Sequence, residues 1–136
     1  MICSKRHAVS IANVIFPSTV PPSSISIQSE GATVKPGEHL SVTEGLKESA
    51  RCITRYSNPP PSIAWFVGDK PINSTSQNNT KEEGTNKWKS EAVLNYSFSK
   101  AELGEKLQCI VEHPAYPQSS ESYIVKLDVL CELLLH

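Results

Sequence analysis

Ser62-Ile63-Ala64-Trp65-Phe66-Val67 alternates between two faces, with Ile63, Trp65 and Val67 on one and Ala64 and Phe66 on the other. A period of two residues is that of a strand, and the face holding the tryptophan is the one to bury. The stretch is bounded by breakers. Asn58-Pro59-Pro60-Pro61 before it can enter neither helix nor ladder, and Gly68-Asp69-Lys70-Pro71 after it supplies a turn. The same phase recurs on either side: residues 48–55 place Ala50, Cys52 and Thr54 inward and Arg51 and Arg55 outward, and residues 106–112 place Leu107, Cys109 and Val111 inward. An inward tryptophan therefore stands between two inward cysteines, on three separate predicted strands.

Further out the pattern repeats. Residues 23–28 alternate directly after Pro21-Pro22, as an edge strand at the start of a domain should, and residues 40–43 form a short edge strand after the Pro36-Gly37 turn. Residues 91–98 set Ala92, Leu94, Tyr96 and Phe98 against Val93, Asn95 and Ser97, and residues 123–129 turn Val125, Leu127 and Val129 inward. Ser99-Lys100-Ala101-Glu102, with a serine cap and an acid three residues on, predicts one helical turn. Residues 72–88 are almost wholly polar and predict a long solvated connection with room for one short strand; Lys81-Glu82-Glu83 reads as part of it, and Trp88 as an anchor of the strand edge that follows. About seven short antiparallel strands with regular turns make an all-β sandwich of two sheets over residues 21–130.

Composition bounds the function. The 136 residues suit one domain, and 13 basic against 14 acidic side chains leave a net charge of -1, with no basic excess to hold nucleic acid. A hydrophobic share of 38% with 20% charged residues gives a modest core without the high net charge of a disordered chain. Residues 1–20 set Lys5, Arg6 and His7 before a short apolar stretch and read as a signal peptide with an interrupted apolar region, or as a disordered leader. No run reaches the ~20 apolar residues of a membrane span, so membrane attachment is expected only through a segment missing from this chain. Residues 131–136 read as a tail, expected to be a truncated or alternative terminus.

The cysteines at 3, 52, 109 and 131 form neither a C-x-x-C nor a Cys/His cluster, so neither a metal site nor a cofactor is expected, and Cys3 and Cys131 are expected to make no structural bond. Wide cysteine spacing together with the sequons at Asn73, Asn78 and Asn95 points to glycosylation in an oxidising compartment, extracellular at a cell surface or secreted. His7, His39, His113 and His136 lie in predicted loops or tails away from any nucleophile or metalloprotease motif. Glu112 and His113 face opposite sides of a strand, so no catalysis and no small-molecule substrate are expected.

Cys52, Trp65 and Cys109 follow the Cys…Trp…Cys pattern of the immunoglobulin superfamily, which the chain resembles over roughly residues 21–130. The resemblance implies a Cys52–Cys109 disulfide with Trp65 in the core against it, a crosslink worth about 4 kcal/mol of chain entropy. Leu103, Glu105 and Leu107 occupy the positions of the variable-set pattern D-x-G-x-Y-x-C, so the usual tyrosine corner is lacking. Ser49-Ala50-Arg51-Cys52, Pro60-Pro61-Ser62-Ile63-Ala64-Trp65-Phe66, Lys106-Leu107-Gln108-Cys109 and Val111-Glu112-His113-Pro114-Ala115 look like the C2-type second domains of nectins, nectin-like molecules and fasciclin-III-like proteins. That similarity implies a cell-surface adhesion or recognition module whose partner is another cell-surface immunoglobulin protein, bound homophilically or heterophilically. A structural spacer supporting a variable-type domain and a soluble secreted binding protein are the alternatives. Alternation turns Ala64, Phe66, Ile110 and Ile124 outward on one sheet, the expected interface, and leaves the opposite face, with Asn95, to glycan.

Overall fold

Short alternating runs, each too brief to bury a helix face, can shield their apolar side only by pairing into sheets and packing two sheets together. The computed structural model describes residues 19–73 and 75–130. It contains β1 (Ser24–Ser29), β2 (Ala32–Val34), β3 (His39–Thr43), β4 (Lys47–Ser57), β5 (Ser62–Val67), β6 (Lys70–Ile72), β7 (Thr75–Lys81), β8 (Trp88–Ser97), β9 (Lys106–Glu112) and β10 (Ser120–Leu130), with one 3-10 turn at Lys100–Glu102. One sheet has the order β2-β1-β4-β8-β7 and the other β3-β10-β9-β5-β6. Neighbours are antiparallel apart from β3, which runs parallel to β10.

β4 and β9 are the middle strands of their sheets, and the Cys52–Cys109 disulfide joins them, with Cα atoms 6.3 Å apart. Trp65, 1% exposed, sits directly across from Cys109 in the β5–β9 ladder and donates its indole N–H to the Ala92 carbonyl of the other sheet at 3.2 Å. Around this axis Ile27, Leu94, Phe98, Leu107, Val111, Val125 and Leu127 form one core drawn from both sheets. Of the inward positions read from alternation, Ala50, Cys52, Thr54, Trp65, Val67, Ala92, Leu94, Phe98, Leu107, Cys109, Val111, Val125, Leu127 and Val129 are buried, and Ile63 and Tyr96 are half-buried against the core. The Ser99 turn also forms as expected: the Ser99 N–H donates to Glu102 Oε1 at 2.8 Å while the Glu102 N–H bonds back to the Ser99 carbonyl.

Among the described residues ten strands stand where about seven were expected: β2 and β6 were not read, and the 72–88 connection, read as solvated with room for one short strand, holds the whole of β7. Lys70 and Pro71, expected in a turn, begin β6, and residues 75–81 form β7, a seven-residue strand laddered along β8 although every one of its side chains is exposed. A strand with no buried residue has no apolar alternation to read; its backbone bonds and one side chain hold it. The Gln77 amide donates from Nε2 to the Pro61 carbonyl at 2.8 Å and accepts the Ile63 N–H on Oε1 at 3.2 Å. One side chain thus reproduces both bonds of a strand pair and stitches the edge of one sheet to β5 of the other.

Glu82 is likewise no solvated loop residue: it is 9% exposed. β4 continues to Ser57 through an irregularity between Thr54 and Ser57, where Tyr56 takes a left-handed φ of 58°. The Arg55 guanidinium lies 5.0 Å above the Tyr56 ring and forks onto the Glu82 carboxylate, Nε to Oε2 at 2.7 Å and Nη2 to Oε1 at 2.8 Å. The bond from Arg55 holds the Glu82 carboxyl below its ordinary range against the opposing cost of burial, and raises Arg55 in turn.

Two stability predictions follow from these fastenings. Replacing Cys52 and Cys109 together by Ala lowers the free energy of unfolding in urea by about 4 kcal/mol, because the bond closes a 57-residue loop. Glu82→Gln costs about 1 to 2 kcal/mol near neutral pH, between the values for exposed and buried ion pairs. Because Glu82 titrates lower when folded, its contribution is complete above the ordinary glutamate pKa of ~4.3 and is lost as pH falls below it, so wild-type and Gln melting curves converge in acid.

Candidate interaction surface

The outer face of the β3-β10-β9-β5-β6 sheet is fixed by the phase of its buried side. With Trp65, Cys109 and Val125 inward, the opposite positions fall into rows across the strands. Ala64 pairs with Ile110 and Ile110 with Ser122; one step along, Phe66 pairs with Gln108 and Gln108 with Ile124. Pro71 of β6 lies beside Phe66. Phe66, Ile110 and Ile124 are half-buried among these neighbours, and Ala64 and Pro71 are exposed, so the middle of the face is apolar.

Charge marks its two ends. Glu112 stands between Ser62 and Ser120 at one end; Lys106 and Lys126 stand side by side at the other, next to His39 of β3, with Asp128 two residues beyond Lys126 on the same side of β10. Both ends are held rigidly from behind. At the Glu112 end His113, 2% exposed, bonds through Nε2 to the Pro59 carbonyl at 2.9 Å and accepts the Ala115 N–H on Nδ1 at 3.1 Å, while Tyr116 packs edge-on against its ring at 5.9 Å. Burial pushes the Tyr116 phenol up to about 12. His113 had read as an ordinary loop residue; it is the buried joint between the 58–61 and 113–119 loops, which a single strand-end position in the sequence does not reveal. At the far corner Tyr96 donates to Glu102 Oε2 at 2.8 Å and accepts from Lys70 at 3.2 Å, fixing the 3-10 turn where the usual tyrosine corner is lacking.

The sequence-predicted site residues thus divide three ways. Cys52, Cys109 and Trp65 meet in the core. Phe66, Ile110 and Ile124 share one outer face. Asn95 and Asn78 share the outer face of the other sheet, since Asn78 pairs with Glu91, which has the phase of Asn95, and both are exposed; Asn73 is exposed between β6 and β7. Gln108, Pro71 and the end charges belong to the first face too, and were missed because alternation gives the phase of a strand and not its register.

An open hollow of about 520 Å³ lies on the other sheet beside Gln28, Lys47 and Arg51, and one of about 610 Å³ borders the face at its Lys106 end, between Lys70, Glu102, Glu105, Lys106 and Gln108. Among the described residues no group of three or more His, Cys, Asp and Glu is placed to hold a metal ion, and no helix is long and apolar enough to cross a membrane.

Comparison with known proteins agrees with this architecture. No curated protein sequence matches the chain. Among solved structures, the full ectodomain (Ig1–Ig3) of mouse nectin-like molecule 4 superposes with a TM-score of 0.65 at 15% identity, covering 81% of this chain and 34% of that one. Rst D1-D2 superposes at 0.67 with 17% identity, covering 81% of this chain and 50% of that one. The chain therefore spans a third to a half of the structures it matches, and at these identities the likeness is one of fold. Residues 21–120 match the family model of the CD80-like C2-set immunoglobulin domain, and the chain belongs to that family.

Proposed function

We propose that residues 21–130 form an extracellular, non-enzymatic adhesion or recognition domain that binds a protein through the outer face of β5, β9 and β10. The observation carrying this reading is the segregation of the two outer faces. One has an apolar centre of Phe66, Ile110 and Ile124 and no sequon; the other holds Asn78 and Asn95. Aromatic and aliphatic side chains grouped at a centre with charges at the rim are the anatomy of a protein interface, and N-glycans on the far face would leave that centre open. The Cys52–Cys109 bond supports an oxidising compartment. Nectin-like molecule 4 enters here as an analogue: the structure superposed is its ectodomain.

The spacer reading has one observation of its own. The strands enter and leave at opposite poles, Val20 pairing with Asn58 beside the 58–61 loop and Leu130 accepting from the Glu44 N–H at the other end. Such a domain can transmit distance without binding anything.

Oriented display of the secreted chain on beads, scored for bead aggregation and for binding to cells bearing immunoglobulin ectodomains, separates the two. Phe66→Asp is expected to abolish the binding seen with wild type while leaving the melting temperature within a few degrees, and Asn78→Gln with Asn95→Gln to lose glycan mass and keep binding. Binding indifferent to Phe66→Asp, or absent altogether, would overturn the contact-face reading in favour of the spacer.

A further inference from the structure

The same face carries a charge pattern that specifies its partner. Glu112 ends the row at one side, Lys106 and Lys126 pair in the ladder at the other, and none of the three makes a salt bridge among the described residues. β9 is the middle strand, with two strands on either flank, so the apolar rows lie near the centre of the face and the charges at equal steps from it: Lys106 and Glu112 are each three residues from Cys109. A surface with opposite charges at equal distances from an apolar centre is self-complementary under one symmetry operation.

Two copies can stack face to face about a two-fold axis that lies between them, either along the strands or across them. An axis along β9 sets Glu112 on Glu112 and Lys106 on Lys106. An axis across the strands keeps β9 on β9 but reverses its direction. Glu112 of each copy then stands over Lys106 of its partner, with Lys126 alongside, and the Ala64–Ile110 row of each stands over the Phe66–Gln108–Ile124 row of the other. Two ion pairs form at once and like charges part, with Phe66 over Ala64, Ile110 over Gln108 and Ile124 over Ser122 between them.

We infer that the occupant of this face is a second copy of the same chain, docked antiparallel about a two-fold axis across the strands. The inference rests on the contact-face reading above and adds the partner and its orientation. Three strands at ~4.8 Å and seven residues of β9 at ~3.4 Å, with three residues of β6 along one edge, give a face of about 400 Å² per copy. That is below the ~800 Å² per partner of a standard stable interface, so the contact is weak and gains effect when many copies are arrayed on apposed surfaces.

Sedimentation equilibrium of the secreted full chain, with Cys3→Ser and Cys131→Ser to prevent intermolecular disulfides, tests it. The expected result is a reversible dimer at high concentration that weakens in high salt. Glu112→Lys alone, and Lys106→Glu with Lys126→Glu, should each reduce association at least tenfold, since every reversal acts twice in a two-fold dimer, while melting stays as in wild type. An equimolar mixture of the two variants should dimerise again, because each reversed charge then meets its opposite. A monomer at every concentration, or a mixture no better than its components, overturns the second-copy inference. The bead assay with Phe66→Asp reads the contact face independently: heterologous cell binding lost in that variant, without self-association in wild type, keeps the face and removes the second copy from it.

Discussion

The structure depends on one cross-sheet constraint. The Cys52–Cys109 bond joins the two middle strands, each flanked by two others, and Trp65 lies beside it with its indole N–H tied to the opposite sheet. A crosslink at the centre fixes the sheet separation where twisted sheets lie closest, and packing radiates outward from it. Its functional consequence is freedom at the surface. With the core held from within, neither outer face has to contribute to folding, so one can carry a binding surface and the other glycan.

Towards the rim the apolar core thins and polar fastenings take over. Gln77 clips edge strand β7 to β5, Arg55 and Glu82 secure the end of β4, His113 joins two loops, and Tyr96 with Glu102 fixes the corner at the 3-10 turn. Each is hydrogen-bonded to a partner on another strand, turn or loop and contributes about 1 kcal/mol in the usual range for such bonds. Together they keep the loops and corners bounding the outer face of β5, β9 and β10 in place, so that face would be preorganised for contact.

Much of this was legible in the sequence wherever a strand buries one side. Ala92, Leu94 and Phe98, or Leu107, Cys109 and Val111, announce both strand and phase, because period-two burial leaves a direct trace in residue type. β7 left none, since all its residues are exposed and its ladder uses backbone groups common to every sequence. Glu82 read as solvated because its partner lies 27 residues away and meets it only after the sheet has formed. The outer face stood between these cases. Alternation assigned Phe66, Ile110 and Ile124 to one side, but only the ladder register places Lys106 beside Lys126 and Glu112 at the opposite end, and the charge symmetry depends on that register.

The central claim is that the sequon-free outer face makes the contact. The most direct measurement adds a glycan to it: Ser122→Asn with Ile124→Thr creates a sequon beside the Phe66–Gln108–Ile124 row, and binding by displayed chain is compared with that of wild type once mass spectrometry shows the new glycan and melting shows a folded domain. The account requires binding to be lost although the sequons at Asn78 and Asn95 are unchanged. Undiminished binding with a glycan seated on that face would contradict it.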